Sequence, residues 1–179
     1  MDSKNITIQG QHNRYKMKKL TKSENKIKPN KLSFHHLLHD MHYDVSFQIQ
    51  FIETMYTCIV TDDPVYRLLY QQLQHKLNGY KHQDTKKGGT ISENVIDLSG
   101  IIEELHKCKL VCYYCTQSVL LLYKNQRDPK QWTLDRIDND IGHVKNNVRI
   151  VCLQCNLKRK RQNDKNFLFT SQLKINKLN

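Results

Sequence analysis

The spacing of apolar residues changes along the chain, from helical in the middle to strand-like in the C-terminal third. Residues 1–33 are polar and lysine-rich, with too few apolar groups to form a core. Residues 34–107 have apolar positions at helical spacing, which predicts a mostly helical region. Residues 108–162 contain two short strand-like runs. With a polar tail over residues 163–179, the pattern predicts an α+β protein in four segments.

Three helical stretches are predicted in residues 34–107. The first is ambiguous, because positions Asp44 to Phe51 alternate as in a strand, while residues 34–61 also show helical spacing. The second begins at Asp62–Pro64, where aspartate caps the helix and proline fits its first turn, and should stop at Asn78–Gly79. The third covers residues 94–108. The apolar stripe of the second helix consists of Val65, Leu68, Leu69, Leu73 and Leu77.

The charge balance indicates a polyanionic partner. The chain has 29 Lys+Arg and 17 Asp+Glu, a formal net charge of +12, and the basic residues are clustered. Such an excess opposes compaction by self-repulsion, whereas it strengthens binding to phosphates through counterion release. We therefore expect nucleic acid as the partner. The lysine-rich arm at residues 1–33 is either a nucleic-acid tether, a localisation signal or a plain solvated tail.

The chain has no segment that predicts membrane insertion or secretion. No apolar run approaches the roughly 18 residues that a membrane span needs, and no hydrophobic stretch follows the first residues. We expect a protein that stays inside cells or particles, in the nucleus or cytoplasm of a host or in a virion if it is viral. Thiols stay reduced in such compartments, so the 6 cysteines suggest metal binding rather than disulfides.

Two cysteine pairs form the most specific motif of the sequence. Cys112 and Cys115 are separated by two residues, and Cys152 and Cys155 repeat that spacing. This spacing turns both thiolates of a pair towards one point, and two pairs complete a tetrahedron around zinc. Four thiolates close the coordination shell, so the ion is expected to hold the fold and not to catalyse hydrolysis.

The segment between and after these pairs follows the order strand, loop, strand, helix. Trp132–Ile137 has strand-forming residues, residues 139–147 are rich in turn formers, Val148–Val151 is a second strand, and a helix begins at Asn156. With the motifs CYYC, LDRIDNDIGH and NNVRIVCLQCNLK, residues 108–160 resemble the zinc-stapled branch of the HNH, or His-Me finger, endonucleases. The resemblance implies a ββα-metal module that acts on phosphodiester bonds.

The resemblance also implies a role for each matching residue. Asp135 at the end of the first strand and Asn156 at the start of the helix are expected to bind a catalytic divalent cation, Mg²⁺ or Mn²⁺, which prefers oxygen ligands. Asn147 corresponds to the central Asn of the family pattern, which pins the loop. The basic residues after Asn156 are expected to contact nucleic acid: Lys158, Arg159, Lys160 and Arg161.

One position departs from the family pattern. The residue after the metal-binding Asp is usually a histidine that activates water, and here it is Arg136. Arginine cannot accept a proton at neutral pH, but it can bind the scissile phosphate bidentately and stabilise its charge. His143, in the loop, is the first candidate for the general base. The alternatives for His143 are a hydrogen bond that fixes the loop and a contact with a phosphate.

Two further residues keep two interpretations each. Asp138 either binds metal or supports Arg136, or it caps the turn before Asn139. Trp132 belongs either to the core or to a surface on which nucleic-acid bases stack.

Three functional hypotheses follow, of which a structural protein that condenses a genome by charge leaves the ordered motif unexplained. The first is a metal-dependent HNH endonuclease that hydrolyses phosphodiester bonds in DNA, most simply double-stranded DNA. The alternative is a non-catalytic zinc-containing nucleic-acid-binding protein with a degenerate HNH site. The presence of Asp135 and Asn156 favours the enzyme, and Arg136 favours the binding protein.

The abundance of Lys, Asn and Ile suggests an AT-rich genome, and the motif variant is similar to ones in large DNA viruses. The sequence does not indicate the oligomeric state.

Overall fold

Helices surround a single β-hairpin in the structure, a computed structural model that describes residues 9–11, 13–14, 17, 27–30, 35–59, 61–86 and 94–173. The elements are α1 (Val45–Tyr56), α2 (Pro64–Lys86), α3 (Leu98–Lys107), β1 (Trp132–Arg136), β2 (Val148–Cys152), α4 (Leu153–Arg159) and α5 (Asp164–Gln172), with 3-10 turns at His35–Leu37 and Asp40–Tyr43. The predicted α+β class is confirmed. Most of the predicted arm at residues 1–33 and the end of the tail lie outside the described residues.

The ambiguous segment before residue 60 is helical, and the strand interpretation was wrong. Asp44 caps α1, because its side chain accepts a hydrogen bond from the Ser46 amide at 2.9 Å. Gln48 is fully buried, and its amide group bonds to the backbone of Leu121 and Leu122. Helical spacing brings Gln48 onto one buried face with Phe51, which strand alternation would not do.

Helix α2 does not stop at Asn78–Gly79, as the sequence suggested, but continues to Lys86. A glycine costs a helix only about 1 kcal/mol, which burial beyond it can offset. Tyr80 supplies that burial: it is 8% exposed, and its hydroxyl accepts a hydrogen bond from the Leu134 amide at 2.9 Å. Tertiary packing therefore overrides the local stop signal and carries Asp84 up to the hairpin.

The hairpin has the predicted order of strand, loop, strand and helix. Strands β1 and β2 are antiparallel, with Trp132 opposite Cys152 and Asp135 opposite Arg149. The following helix starts at Leu153, three residues before the predicted start at Asn156. Cys152 is both the last residue of β2 and the N-cap of α4, because its sulfur accepts a hydrogen bond from the Cys155 amide at 3.4 Å. The second cysteine pair thus forms the strand-to-helix corner.

One hydrophobic core joins the helical region to the hairpin. Phe51 of α1, Leu69 of α2, Ile101 of α3 and Val151 of β2 are all fully buried within it. Residues 28–30, from the predicted arm, pair with residues 124–126 through backbone hydrogen bonds. Among the described residues, no helix combines the length and the apolar content needed to cross a bilayer.

Helix α2 covers the edge of β1 that faces away from β2. Tyr80 accepts the Leu134 amide hydrogen, and Lys76 donates to the Trp132 carbonyl oxygen. These backbone groups point away from β2, and an uncovered strand edge would leave them unpaired.

We expect Tyr80→Phe to destabilise the protein by about 1–3 kcal/mol, because the buried Leu134 amide loses its acceptor. Urea unfolding followed by circular dichroism measures this free energy. Tyr70→Phe is the matched control, since Tyr70 lies on the same helix and is 50% exposed. Equal stability of the two variants would show that the hydroxyl of Tyr80 does not stabilise the sheet edge.

Candidate functional site

The four cysteines of the two pairs come together in one cluster. The sulfur atoms of Cys112, Cys115, Cys152 and Cys155 all lie within 4.8 Å of one another. Sulfur atoms around a tetrahedral zinc with bonds of about 2.3 Å would be about 3.8 Å apart, and the Cys115 and Cys152 sulfurs are separated by 3.9 Å. The cluster can therefore hold a metal ion such as zinc.

Backbone amides donate hydrogen bonds to two sulfur atoms of the cluster. The Cys152 amide donates to the Cys112 sulfur at 3.3 Å, and the Cys155 amide donates to the Cys152 sulfur at 3.4 Å. Donors to sulfur orient metal ligands and favour the thiolate form that a metal binds.

The carboxylate of Asp135 is buried and fully engaged by side chains. Arg159 donates to one oxygen at 2.8 Å, and the Tyr114 hydroxyl donates to the other at 2.7 Å. The side chains of Arg159 and Asp135 are 0% and 6% exposed. Burial raises the pKa of Asp135, and the bonds from Tyr114 and Arg159 offset only part of this rise.

Asn156 lies on the same helix face as Arg159, against β1, but its side chain has other partners than Asp135. Its amide nitrogen donates to the Thr133 hydroxyl at 3.1 Å and to the Leu134 carbonyl at 3.2 Å. The ligand types suit Mg²⁺ or Mn²⁺, but the Arg159 guanidinium already supplies the positive charge beside Asp135. A cation fits here only if Arg159 moves away.

The loop between the strands is held together by Asn147. Its side-chain oxygen accepts from the Asp138 amide at 2.9 Å, and its nitrogen donates to the carbonyls of Asp138 and Gly142 at 3.0 Å. Asp138 in turn accepts from the Asp140 amide at 2.9 Å, which is the turn-capping interpretation of this residue. Trp132 is 2% exposed and belongs to the core.

His143 contacts helix α2 rather than open solvent. It is 4% exposed, and its ring nitrogen Nδ1 lies 2.9 and 3.0 Å from the two carboxylate oxygens of Asp84. Its backbone amide also donates to Asp84 at 2.7 Å, and its ring lies against Tyr80. These contacts fix the loop to α2, so a general-base role would require the ring to reach water.

Arg136 faces a cavity of about 380 Å³ at the end of the hairpin. Its guanidinium lies 4.0 Å from Asp84 and donates to the Ile141 carbonyl at 3.4 Å. Arg161 lines the same cavity and is paired with Asp140 at 2.8 Å on the exposed surface. Two guanidinium groups around one concave site can bind a phosphate, provided that it competes with the neighbouring carboxylates.

The basic residues that follow Asn156 divide into two groups. Lys158, Lys160 and Arg161 are exposed, so they can contact a polyanion. Arg159 is fully buried, and its guanidinium also donates to the carbonyls of Arg136 and Ile137 at 2.6 and 2.9 Å. Its predicted contact with nucleic acid is therefore corrected: in this structure Arg159 bonds to the end of β1.

Sequence reasoning missed Asp84 and the bond from Tyr114 to Asp135, and it assigned another role to Arg159. The predicted helix stop before residue 80 removed Asp84 from consideration, and its partner His143 is 59 positions away in the chain. The position of Arg159, three residues after Asn156 and so on the same helix face, was the available signal for its contact with β1.

Comparison of the chain with protein-family models, with curated proteins and with solved structures finds no match.

Proposed function

We propose that this chain is an HNH-type endonuclease that binds a structural zinc ion and hydrolyses phosphodiester bonds in DNA. The observation that carries the proposal is the arrangement of the hairpin and helix α4. The four-cysteine cluster lies at one end of this unit. Asp135 of β1 bonds to a residue of α4, and Asn156 of α4 bonds to β1. This arrangement supports the proposal, because the resemblance implies a β-hairpin and a following helix that carry these two residues.

Recognition of the DNA backbone is assigned to the positive groups at the cavity end. Arg136 and Arg161 line the cavity, and Lys158 and Lys160 are exposed nearby in sequence. Each phosphate neutralised by such a group releases counterions, so the net charge of +12 supports a nucleic-acid substrate. Arg136 is assigned to the scissile phosphate, where its guanidinium stabilises the charge that develops during hydrolysis.

A divalent cation at Asp135 would supply additional positive charge to the phosphate. The Asp135–Arg159 pair is the obstacle to such a cation. The pair is shielded from solvent, and a bound ion would have to replace the guanidinium at the carboxylate. We therefore assign the catalytic state to a conformation in which Arg159 has left Asp135.

The second candidate is a non-catalytic nucleic-acid-binding protein, and the same ion pair favours it. If the Arg159 guanidinium remains at Asp135, the carboxylate only stabilises the fold, and no cation has access to it. The basic surface and the zinc cluster would serve binding alone. The two candidates therefore differ in whether the protein cleaves DNA and whether Asp135 binds a cation.

We expect the protein to nick supercoiled plasmid in the presence of Mg²⁺ or Mn²⁺, and Asp135→Asn to abolish nicking. Asparagine keeps the volume of the side chain but removes the charge that a cation needs. Conversion of supercoiled to open-circular plasmid on agarose gels measures the rate, beside Asp135→Ala. The melting temperature and zinc content of each variant show whether it is folded.

Asp128→Asn is the control, because Asp128 accepts a hydrogen bond from the Lys130 amide in a turn outside the site. Nicking by the Asp135 variants at the normal rate would refute the assignment of this residue. A wild-type protein that binds DNA but does not nick it would leave the second candidate.

A further inference from the structure

Helix α2 contacts the hairpin module at three positions, each four residues apart. Lys76 and Tyr80 cover the edge of β1, and Asp84 reaches the loop at His143. Residues at this spacing lie on one helix face. A helix from outside the HNH-like module is therefore aligned along it, and the last of the three residues lies at the cavity.

Asp84 bonds to the loop through three contacts and also lies beside Arg136. Its carboxylate accepts from the His143 backbone amide at 2.7 Å and contacts Nδ1 of the same residue at 2.9 and 3.0 Å. Its distance to the Arg136 guanidinium is 4.0 Å, and its side chain is 14% exposed. Asp84 thus lies between His143, which is buried, and Arg136, which lines the cavity.

Gly142 permits this close approach. A Cβ atom at position 142 would lie 3.1 Å from one carboxylate oxygen of Asp84 and 3.3 Å from its Cγ. The loop therefore packs so closely that a Cβ atom at this position would make the aspartate side chain shift by a few tenths of an ångström. The Ile141 carbonyl, on the other side of Gly142, accepts the hydrogen bond from Arg136. The position of this guanidinium is therefore linked to Asp84 through the loop.

We propose that Asp84 is a positioning residue of the nucleic-acid site, which holds Arg136 and the turn at Ile141–His143 so that the guanidinium can bind a backbone phosphate. The proposal rests on the proposed function, because it assumes that the cavity receives a nucleic-acid phosphate. An arginine held in place loses less conformational entropy when it binds. Helix α2 is then part of the binding site and not only a cover for the hairpin.

The salt dependence of DNA binding tests this role without relying on cleavage. Each neutralised phosphate contributes about 0.9 to the slope of log K against log salt on duplex DNA. We expect Arg136→Ala to reduce the slope by about 0.9 in the wild-type background and to leave it unchanged in the Asp84→Ala background. Fluorescence anisotropy of a labelled duplex, with EDTA omitted to preserve zinc and with Ca²⁺ as the divalent ion, gives both slopes.

Two variants separate positioning from charge and from stability. Asp84→Asn removes the charge but keeps an oxygen that can accept from the His143 amide, so the effect of Arg136→Ala should persist in it. Asp63→Ala also removes one negative charge, at the residue just before α2, and a stabilising bond, because Asp63 accepts from the Val65 amide at 2.8 Å. It lies at the other end of α2, so the contribution of Arg136 should be unchanged.

The outcomes are distinct. If Asp84 acted only as a charge, its removal would tighten binding, as Asp63→Ala would. An equal slope change for Arg136→Ala with and without Asp84 would overturn the proposal, as would no change in either background. A wild-type protein that binds but does not nick would refute the endonuclease and leave the role of Asp84 supported by the slopes. Absence of wild-type binding would refute both.

Discussion

We expect the protein to lose its stable fold when zinc is removed, so that heating no longer produces a cooperative unfolding transition. Cys112, Cys152 and Cys155 are buried, and Cys152 joins β2 to the start of α4. Structural zinc sites have apparent binding free energies of about 10–16 kcal/mol, as large as the whole stability of a typical domain. Without an ion, no metal–ligand bonds would join the first cysteine pair to this corner.

Cys152→Ser should have the same effect as a chelator, because serine is a much weaker zinc ligand than a thiolate. Metal analysis by mass spectrometry should find zinc equimolar with the wild-type chain and greatly reduced in the variant. Circular dichroism during heating should show a sharp transition only in the wild type. Cys58→Ser is the matched control, since Cys58 is exposed and outside the cluster. An unchanged melting temperature after chelation would refute the structural zinc.

Arg159→Met is expected to destabilise the protein by about 3–5 kcal/mol at neutral pH. The substitution removes the partner of a buried carboxylate, and an uncompensated buried charge is more costly than the pair itself was favourable. The carbonyl oxygens of Arg136 and Ile137 also lose their donor. Urea unfolding at several pH values measures the loss.

The loss should shrink as the pH falls. Burial already raises the pKa of Asp135 in the folded wild type, and loss of the guanidinium should raise it further. A group whose pKa is higher in the folded than in the unfolded state favours folding below the unfolded pKa, and this contribution is lost as the pH rises through the folded pKa. The difference between wild type and Arg159→Met should therefore be smaller near pH 4 than near pH 7.

Arg161→Met provides the control for the arginine prediction. It is the same substitution two residues later, in a pair with Asp140 whose side chains are 79% and 81% exposed. An exposed pair contributes at most about 1 kcal/mol, so little change is expected. Similar losses in both variants would show that the Asp135–Arg159 pair is not buried in solution.

The arginine variant also bears on the two candidate functions. If a divalent cation must replace the Arg159 guanidinium at Asp135, the folded Arg159→Met protein should nick plasmid at lower Mn²⁺ concentration than the wild type. If Asp135 serves only the fold, the variant should show the loss of stability alone. The Arg159→Met variant thus distinguishes two interpretations of Asp135: a cation ligand that Arg159 blocks, or a residue that only stabilises the fold.

Local sequence signals predicted the parts of the fold that depend on residues close together in the chain. The spacing of Cys112 with Cys115, and of Cys152 with Cys155, fixes the geometry of each knuckle within one turn of backbone. The strand propensity of residues 132–136 and 148–151 and the turn formers between them likewise act over short distances. The α+β class, the hairpin and the cysteine cluster could therefore be predicted.

The length of α2 and the partners of the charged residues were decided by tertiary structure. Local signals end the helix at Gly79, but contacts of Tyr80 and Asp84 with the hairpin extend it. The partner of Asp135 depends on how α4 lies against β1, because Arg159 and a divalent cation are alternative sources of positive charge. Sequence spacing identifies which groups can meet, whereas burial and competition among partners determine which of them do.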